Sequence, residues 1–224
     1  MELNTYPLVC TRGVVLYPNQ EIVIDVGRDT SVHAVENAQD NYDKKICLFS
    51  QKELEQENPA TEDIYSVGTL CEVRHIRRFD NFLRVKFRGI KRVKLNKWIN
   101  GSLSDLVEVE ILESEKQDAV EEEALIRMIA DELDRMQGQD RFVTKEIVME
   151  ISKGMGGEFL SDKAVQGLPL DLERKQKYLE TLGVNDRLMM LLQDMAKEKK
   201  MSEVEKQINE TVKERIDQGQ KDYY

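Results

Sequence analysis

The hydrophobic pattern of this 224-residue chain changes character at Ser114. Before that residue, apolar and polar residues alternate in short runs broken by Gly or Pro, a pattern that is typical of β-strands. After it, apolar residues recur at every third or fourth position, which is typical of amphipathic helices. Because strands and helices are segregated along the chain, the sequence predicts an α+β fold in which a strand-rich unit precedes a helical one.

The strand-rich unit begins with two short apolar runs and a helix. Residues 8–10 form the first run, and Pro18 ends the second, because proline has no N–H for a sheet ladder. Alternation predicts a strand over residues 21–26, and Asp29 or Thr30 is a suitable cap for the helix that follows. Further strands are predicted over residues 44–52, 65–73, 83–95 and 106–112. Six or seven strands with one helix predict a closed or nearly closed small β-barrel.

The predicted strand over residues 83–95 carries the most regular alternation. Its apolar side chains are expected to face a core, and its basic ones, Arg92 among them, to face water. Gly89 is predicted to mark a bulge in this long strand. Asp80 and Asn81, just before it, are predicted to form the turn of a β-hairpin.

This hairpin is strongly basic. Ten Lys and Arg residues and a single acid, Asp80, lie between Arg74 and Lys97. One interpretation is the solvated face of an antiparallel strand pair. The other is a surface that binds a polyanion such as nucleic acid or polyphosphate, with Phe79 and Phe82 as stacking groups. The acidic net charge of −10 argues against a general nucleic-acid-binding protein.

In the helical unit, polar residues are predicted to cap several helices. Ser114 and Gln117 fit a capping box at the start of a helix that ends before Gly138. Shorter helices are predicted around residues 147–151 and over residues 161–167. Asp171 and Asn185 are predicted to cap the last two helices.

The last helix carries two apolar stripes on different faces. Leu188, Leu191, Leu192 and Met195 form the first stripe, which is predicted to pack into the helical bundle. The second stripe is offset by roughly 100–150° around the helix axis. It consists of Met201, Val204, Ile208, Val212 and Ile216. Because one straight helix cannot bury both faces in one bundle, the second stripe is predicted to contact another subunit or another domain.

Composition and cysteine usage restrict the cellular setting. No apolar run reaches the roughly 18 residues that a membrane span needs, and the first residues lack the basic start and apolar core of a secretory signal. Cys10, Cys47 and Cys71 lie singly in apolar runs, which favours buried, reduced thiols and a cytoplasmic protein.

The sequence contains no recognisable catalytic, cofactor-binding or metal-binding motif. It has neither a G-x-x-x-x-G-K-[ST] phosphate loop nor a G-x-S-x-G nucleophile elbow. His33 and His75 are the only histidines, and neither has a second ligand at metal-binding spacing. The acidic residues Glu121–Glu123 and Glu62–Asp63 are interpreted as solvated side chains. We therefore expect a chain that works by binding.

Five apolar residues in or beside predicted turns are the candidates for that binding. They are Leu16, Tyr17, Pro18, Phe79 and Phe82. As core residues they need no function, and the core interpretation is the more common one for such residues. If they are exposed together, they form an apolar patch that binds unfolded polypeptides.

Two motifs near the start resemble a known family. The pattern P-L-x-x-x-x-G-V-V-x-x-P followed by V-G-R-x-x-S-x-x-A-x-x-x-A resembles the start of the amino-terminal domain of the ATP-dependent Lon protease. The matching residues are Pro7, Leu8, Gly13, Val14, Val15, Pro18, Val26, Gly27, Arg28, Ser31, Ala34 and Ala38. Y-x-V-G-T from Tyr65 and G-I-x-R from Gly89 are similar to later family motifs. Family members often carry Asp at position 13 and Gly at position 19, where this chain has Gly and Asn.

The resemblance implies an architecture. A PUA-like β-barrel domain over residues 1–113 is expected to precede a helical bundle over 114–183 and a long exit helix over 184–224. In the family this helix ends in Y-Y-L-R-E-Q just before an ATPase module. Because the chain stops at Tyr223–Tyr224, it is expected to be an excised region.

The resemblance also implies a function. The chain is expected to be the non-catalytic substrate-recognition and assembly region of a hexameric ATP-dependent serine endopeptidase that degrades misfolded and regulatory proteins. Unfolded or degron-bearing polypeptides are the expected partners, with ATP and Mg bound outside this chain and no contact with a membrane. A stand-alone adaptor with the same barrel and a polyanion-binding regulator that uses residues 74–97 remain alternatives.

Overall fold

The computed structural model describes residues 3–136 and 145–221, and it has the predicted α+β class. The strands are β1 Leu3–Thr11, β2 Glu21–Val26, β3 Lys45–Ser50, β4 Val67–Arg78, β5 Leu83–Ile99 and β6 Leu106–Leu112. The helices are α1 Asp29–Asn41, α2 Ala119–Met136, α3 Lys145–Ser152, α4 Gly157–Gly167, α5 Leu172–Glu180 and α6 Val184–Lys221. A 3₁₀ turn spans Thr61–Asp63.

Five of the strands close into a ring, which confirms the predicted small barrel. Strand β1 pairs in parallel with β3 and antiparallel with β6. The ring continues through antiparallel pairs of β3 with β4, β4 with β5, and β5 with β6. Strand β2 pairs outside the ring with the first half of β5. Buried residues contributed by all five ring strands fill the interior: Leu8, Cys47, Phe49, Leu70, Val93, Val107 and Val109.

A bulge divides β5 at Gly89, as the sequence predicted. In the ladder with β4, Cys71 is opposite Gly89 and Leu70 is opposite Lys91, so Ile90 is the extra residue. The bulge lies where the loop after β1 crosses the strand. There the Asn19 amide donates to the Gly89 carbonyl at 2.9 Å. A Cβ on Gly89 would lie 2.2 Å from the Tyr17 carbonyl oxygen, so this close approach requires glycine.

The bulge also changes which core each half of β5 faces, because one extra residue reverses the alternation. Before the bulge, Leu83, Val85 and Phe87 pack in a cluster that α1 covers. After it, Val93 faces the barrel interior. Helix α1 contributes small and branched side chains to the first cluster: Ala34, Val35 and Ala38.

Within the helical unit, the predicted helix caps are correct at one of three positions. The Asp171 carboxylate accepts a 2.7 Å hydrogen bond from the Arg174 amide and caps α5. Asp118, not Ser114, caps α2, since its carboxylate accepts from the Glu121 amide at 2.7 Å. Asn185 lies inside α6, which begins one residue earlier.

Two further predictions about helix starts also need correction. Helix α1 is preceded by Arg28, which makes no side-chain capping bond, rather than capped by Asp29 or Thr30. Helix α4 begins at Gly157, four residues before the predicted start at 161. Gly138, the predicted end of α2, lies outside the described residues.

The barrel and the helical bundle share a hydrophobic core. Val15, Tyr17 and Val67 of the strand-rich unit pack in the same buried cluster as the bundle helices. The Tyr17 hydroxyl donates to the Lys175 carbonyl at 2.7 Å, and the Gln176 amide group donates to the Val67 carbonyl at 2.8 Å. The predicted division at residues 113 and 183 stays a prediction. Within the described residues, no helix has the length and apolar character that crossing a membrane requires.

Candidate functional site

Three of the five turn residues follow the core interpretation and not the exposed-patch alternative. Leu16, Tyr17 and Pro18 are buried. Tyr17 packs in the core of the helical bundle, whereas Leu16 packs in the cluster that α1 covers. Burial, followed by the negative charge of Asp162, raises the pKa of the Tyr17 phenol well above its usual value. These residues join two units and offer no exposed patch to a polypeptide.

The other two turn residues meet at the tip of the β4–β5 hairpin. Phe79 and Phe82 are half-buried and stack with ring centroids 4.6 Å apart and planes inclined by 12°. The guanidinium of Arg77 lies 5.0 Å from the Phe79 centroid, and that of Arg84 lies 5.4 Å from it. The predicted turn at Asp80–Asn81 is present, closed by a 2.9 Å bond from the Phe79 amide to the Phe82 carbonyl. The tip is therefore a small aromatic surface edged by arginines.

Most of the basic side chains in this hairpin have acidic partners. Six of the ten form ion pairs: Arg74–Glu72, Arg78–Glu36, Arg84–Asp25, Lys86–Glu21, Lys91–Glu113 and Arg92–Asp162. The hydrogen bond from Arg84 holds the pKa of the Asp25 carboxyl below its usual value. These acids lie outside the hairpin in sequence, except Glu72, and they neutralise much of the charge that favoured the polyanion interpretation.

Arg92 is the one basic residue of β5 whose predicted environment was wrong. Its side chain is 1% exposed instead of solvated, because α4 and α5 pack over the outer face of the strand after the bulge. It donates two hydrogen bonds to Asp162 at 2.5 and 2.9 Å and one to the Leu179 carbonyl at 3.0 Å. Arg187 of α6 lies 3.9 Å from the same carboxylate. Burial, followed by the charge of Arg92, lowers the pKa of Arg187 to about 10.

Sequence reasoning missed an open groove between α2 and α6. It has a volume of about 820 Å³, and Met128, Met189 and Leu192 supply its apolar surface. Met128 is 57% exposed and Met189 is 42% exposed. Charged side chains form its rim, where the Lys199 ammonium donates to the Glu132 carboxylate at 3.0 Å. The only sequence signal is that Met128 and Met189 are apolar residues beside the buried stripes of their helices, and neither helix alone shows that they meet.

The second stripe of α6 is exposed along its whole length. Its five side chains are between 42% and 56% exposed: Met201, Val204, Ile208, Val212 and Ile216. By contrast, Leu188, Leu191 and Met195 of the first stripe are buried in the bundle core. The two halves of α6 therefore differ in burial, as the offset between the stripes predicted. Contact of the second stripe with another subunit stays a prediction.

Within residues 3–136 and 145–221, no group of three or more His, Cys, Asp or Glu side chains is placed to hold a metal ion. All three cysteines are free, with Cys47 and Cys71 buried and Cys10 partly buried. Burial raises the pKa of the Cys10 thiol to about 12.

Comparison with known proteins identifies the family. Residues 5–197 match the family model described as the ATP-dependent protease La (LON) substrate-binding domain. The chain belongs to this family. It is 32% identical to the Lon protease of Brevibacillus choshinensis over 219 residues, which are 97% of this chain and 28% of that protein. It is 31% identical to Lon protease 1 of Bacillus subtilis over 222 residues, 99% of this chain and 29% of the relative. The chain thus spans under a third of these Lon proteases.

Solved structures of Lon amino-terminal domains share the fold. The N-terminal domain of the Mycobacterium avium complex Lon protease superposes with a TM-score of 0.70 at 19% identity, covering 86% of this chain and 98% of that one. The Lon N-terminal domain protein from Xanthomonas campestris gives a TM-score of 0.59 at 16% identity, with 84% and 97% covered.

The backbone accounts for the two departures from the Lon pattern. Gly13 has φ 67° and Asn19 has φ 61°, so both lie in the left-handed region. Gly, Asn and Asp are the residues that adopt this conformation most readily. Gly in place of Asp at position 13, and Asn in place of Gly at position 19, therefore preserve the same two turns.

Proposed function

We propose that this chain is the substrate-recognition and assembly region of an ATP-dependent serine protease that degrades misfolded and regulatory proteins. The observation that carries the proposal is the match of residues 5–197 to the Lon substrate-binding domain. In this proposal the chain binds polypeptides without cleaving them. ATP, Mg and the peptidase chemistry belong to other parts of a cytoplasmic homohexamer.

The groove between α2 and α6 is the surface best suited to an unfolded polypeptide. Unfolded chains expose apolar side chains of many shapes. Methionine is unbranched and polarisable, so a surface built on Met128 and Met189 adapts to different partners. The charged rim supplies polar contacts for the peptide backbone around each apolar anchor.

The aromatic tip at Phe79 and Phe82 is a second contact point for the same partner. Its rings are only half-buried, and the neighbouring Arg77 and Arg84 keep their polar edges in water. An apolar side chain of a bound polypeptide would extend the existing ring stack. Because the tip is much smaller than the groove, we expect it to contribute less to affinity.

The experiment compares binding of a fluorescently labelled, reduced and alkylated unfolded protein by the chain and its variants, using anisotropy. Met128→Ser with Met189→Ser removes the apolar surface of the groove, and we expect affinity to fall roughly tenfold, since each exposed methionine contributes about 0.5–1 kcal/mol when covered. Met149→Ser is the matched control, because Met149 is 56% exposed on α3 and does not line the groove. Its affinity is expected to equal that of the parent.

Phe79→Ala with Phe82→Ala separates the two surfaces. A loss confined to this variant would move the binding site from the groove to the hairpin tip. Parent affinity in both double variants would reject both surfaces. Failure of the parent chain to bind any unfolded protein, at concentrations where circular dichroism shows it folded, would reject the proposed function.

Assembly is assigned to the second stripe of α6, with a second copy of this chain as the partner. Five exposed apolar side chains on one helix are unfavourable in water, and a helix of this length gains most of its stability from packing.

An adaptor that works without a protease shares the same groove and stripe. The polyanion alternative is weakened because six basic side chains of the hairpin are already in ion pairs. Four basic residues lack an ion pair among the described residues: Arg77, Arg88, Lys94 and Lys97.

A further inference from the structure

A cleft of about 360 Å³ lies between β1, the end of β2 and the start of α1. Its walls combine two kinds of side chain. Val9, Val14, Ile24 and Val26 are apolar, whereas Arg12 and Arg28 carry the charge. Neither the groove between α2 and α6 nor the aromatic hairpin tip includes any of these residues.

The two arginines are held close together without a carboxylate between them. Arg28 donates to the Gln56 carbonyl at 3.1 Å, and Arg12 donates to the same oxygen at 3.3 Å. The Gln51 side chain donates to it as well, at 2.9 Å. A carbonyl oxygen has two lone pairs, so three donors exceed what it can accept well. Arg28 also donates to the Gln51 side-chain oxygen at 2.6 Å and to the Cys10 carbonyl at 3.5 Å. Because a guanidinium group has five N–H donors, these bonds still leave donors on Arg28, and more of them on Arg12, for another acceptor.

Acidic side chains near the cleft do not supply that acceptor. Asp25 lines it, but its carboxylate is bound by Arg84 through bonds of 2.7 and 2.8 Å. Glu57 lies with Arg28 on a separate cleft of about 130 Å³. In the part of the chain that the structure describes, neither Arg12 nor Arg28 has a carboxylate within 4.0 Å.

We propose that this cleft binds the carboxyl terminus of a polypeptide that ends in an apolar residue. The terminal carboxylate would be bound by Arg12 and Arg28, whose planar guanidinium groups match a carboxylate in shape and charge. The last side chain would pack on Val9, Val14 and Ile24. The proposal rests on the proposed function, and it names one class of polypeptide that the chain selects.

Chemistry favours a chain terminus over other anions. A phosphate ion would satisfy the arginines but leave the apolar walls without a partner. An acidic side chain inside a polypeptide carries only one or two methylene groups next to its carboxylate, with no branched apolar group. A carboxyl-terminal Leu or Val carries both groups on one carbon atom, and the cleft is at the lower end of the size range of ligand pockets, which suits one or two residues. Burial, and then the charge of Arg12, lower the pKa of Arg28, while Cys10 and Glu57 act in the opposite direction.

The test uses one unstructured fluorescent peptide that ends in Leu, prepared with a free terminal carboxylate and with a terminal amide. Fluorescence anisotropy with the 224-residue chain is expected to show that the amide peptide binds about fivefold to tenfold more weakly than the free acid. The amide cannot form the charge-assisted hydrogen bond, and this loss of affinity is reduced because the site is partly exposed to water. Arg12→Gln should reduce the free-acid affinity to that of the amide and leave the amide affinity unchanged. Arg12 is exposed, so this variant is expected to fold normally.

Two further variants make the outcome decisive. Arg28→Lys keeps the positive charge but not the planar fork, and we expect it also to remove the preference for the free acid. Arg88→Gln is the control, because it removes an exposed arginine elsewhere on the barrel. Equal affinity for acid and amide, or an acid preference that survives Arg12→Gln, would overturn the proposal. So would competition by inorganic phosphate as strong as that by the free-acid peptide.

The same measurements distinguish this proposal from the proposed function. If an unfolded protein binds but the acid and amide peptides bind equally, or not at all, the carboxyl-terminal site is wrong and polypeptide recognition stands. If neither the unfolded protein nor either peptide binds, both proposals are wrong.

Discussion

Arg92 of β5 and Asp162 of α4 form an ion pair with two hydrogen bonds, and both side chains are at most 2% exposed. The pair joins the barrel to the helical bundle. Arg187 of α6 stands 3.9 Å from the same carboxylate, so three elements meet at one buried negative charge. Because the pair lies far from water, removing one partner leaves an uncompensated charge in the interior.

Removing Arg92 or Asp162 is therefore expected to destabilise the chain strongly. We expect Arg92→Met to lower the free energy of unfolding by about 3–5 kcal/mol, the cost of breaking a buried pair. Asp162→Asn should cost at least as much, since it deprives both Arg92 and Arg187 of their carboxylate. Urea unfolding monitored by circular dichroism measures both values.

A surface pair of the same type provides the control. Arg78 and Glu36 are 2.5 Å apart but exposed, so Arg78→Met should cost less than about 1 kcal/mol. Replacing both buried partners, Arg92→Met with Asp162→Leu, should recover part of the loss. The interpretation is wrong if Arg92→Met and Arg78→Met destabilise the chain equally.

Gly89→Ala is expected to destabilise the barrel through a backbone clash. The added Cβ would lie 2.2 Å from the Tyr17 carbonyl oxygen, and neither the loop nor β5 can move without breaking their mutual hydrogen bonds. The cost should be about 2–3 kcal/mol, at the upper end of the range for overpacking. Gly156→Ala is the control, because its Cβ would meet nothing within 4 Å. Thermal unfolding that shifts equally in the two variants would refute the clash.

The features that sequence reasoning predicted are local in the chain. Alternation in β5, the bulge at Gly89 and the Asp171 cap each depend on residues a few positions apart. The offset between the two stripes of α6 is also a property of one helix, and it correctly predicted which half is exposed. Local periodicity and turn chemistry were sufficient for all of these.

The features that sequence reasoning missed depend on how the bundle docks on the barrel. The alternation along β5 predicts that Arg92 faces solvent, and only the position of α4 and α5 makes it buried. Tyr17 is buried for the same reason, through its bond to Lys175. The groove between α2 and α6 forms from residues far apart in sequence. A single sequence carries no signal for these contacts.

Two buried tyrosines should make stability fall in alkaline solution. Burial raises the pKa of Tyr17 and Tyr178, and Tyr178 also donates a 2.7 Å hydrogen bond to Asp194. In the unfolded chain a tyrosine ionises near pH 10. Above that pH, the native state keeps phenol protons that the unfolded state has lost. The contribution of the two buried phenols to the free energy of unfolding is therefore fully present below about pH 10 and decreases as the pH rises above it.

Ultraviolet absorbance of tyrosinate, followed together with circular dichroism, measures this coupling. The expected result is that part of the tyrosine absorbance change coincides with unfolding. Tyr178→Phe should make the free energy of unfolding less dependent on pH in the alkaline range. Complete tyrosine ionisation in a chain that is still folded would contradict the assignment.

Because its stripe is exposed, the carboxyl-terminal half of α6 is expected either to pair with a second chain or to exchange its amide protons rapidly. Full burial of a Val or Ile side chain contributes roughly 1.5–3 kcal/mol, and in one chain the stripe obtains little of it. In dilute solution, amides after Lys200 should therefore exchange faster than those of residues 188–195, where Leu188, Leu191 and Met195 are buried in the bundle core. At higher concentration, pairing should slow this exchange.

Val204→Ser with Ile208→Ser should weaken self-association, measured by sedimentation velocity, and leave the thermal unfolding of the barrel nearly unchanged. Val120→Ser is the matched control, since Val120 is 78% exposed on α2 and lies outside the stripe. Its self-association should equal that of the parent. Uniformly slow exchange along α6 in a chain that sediments as a monomer would mean that the stripe is already packed, which would remove the reason to expect a second chain.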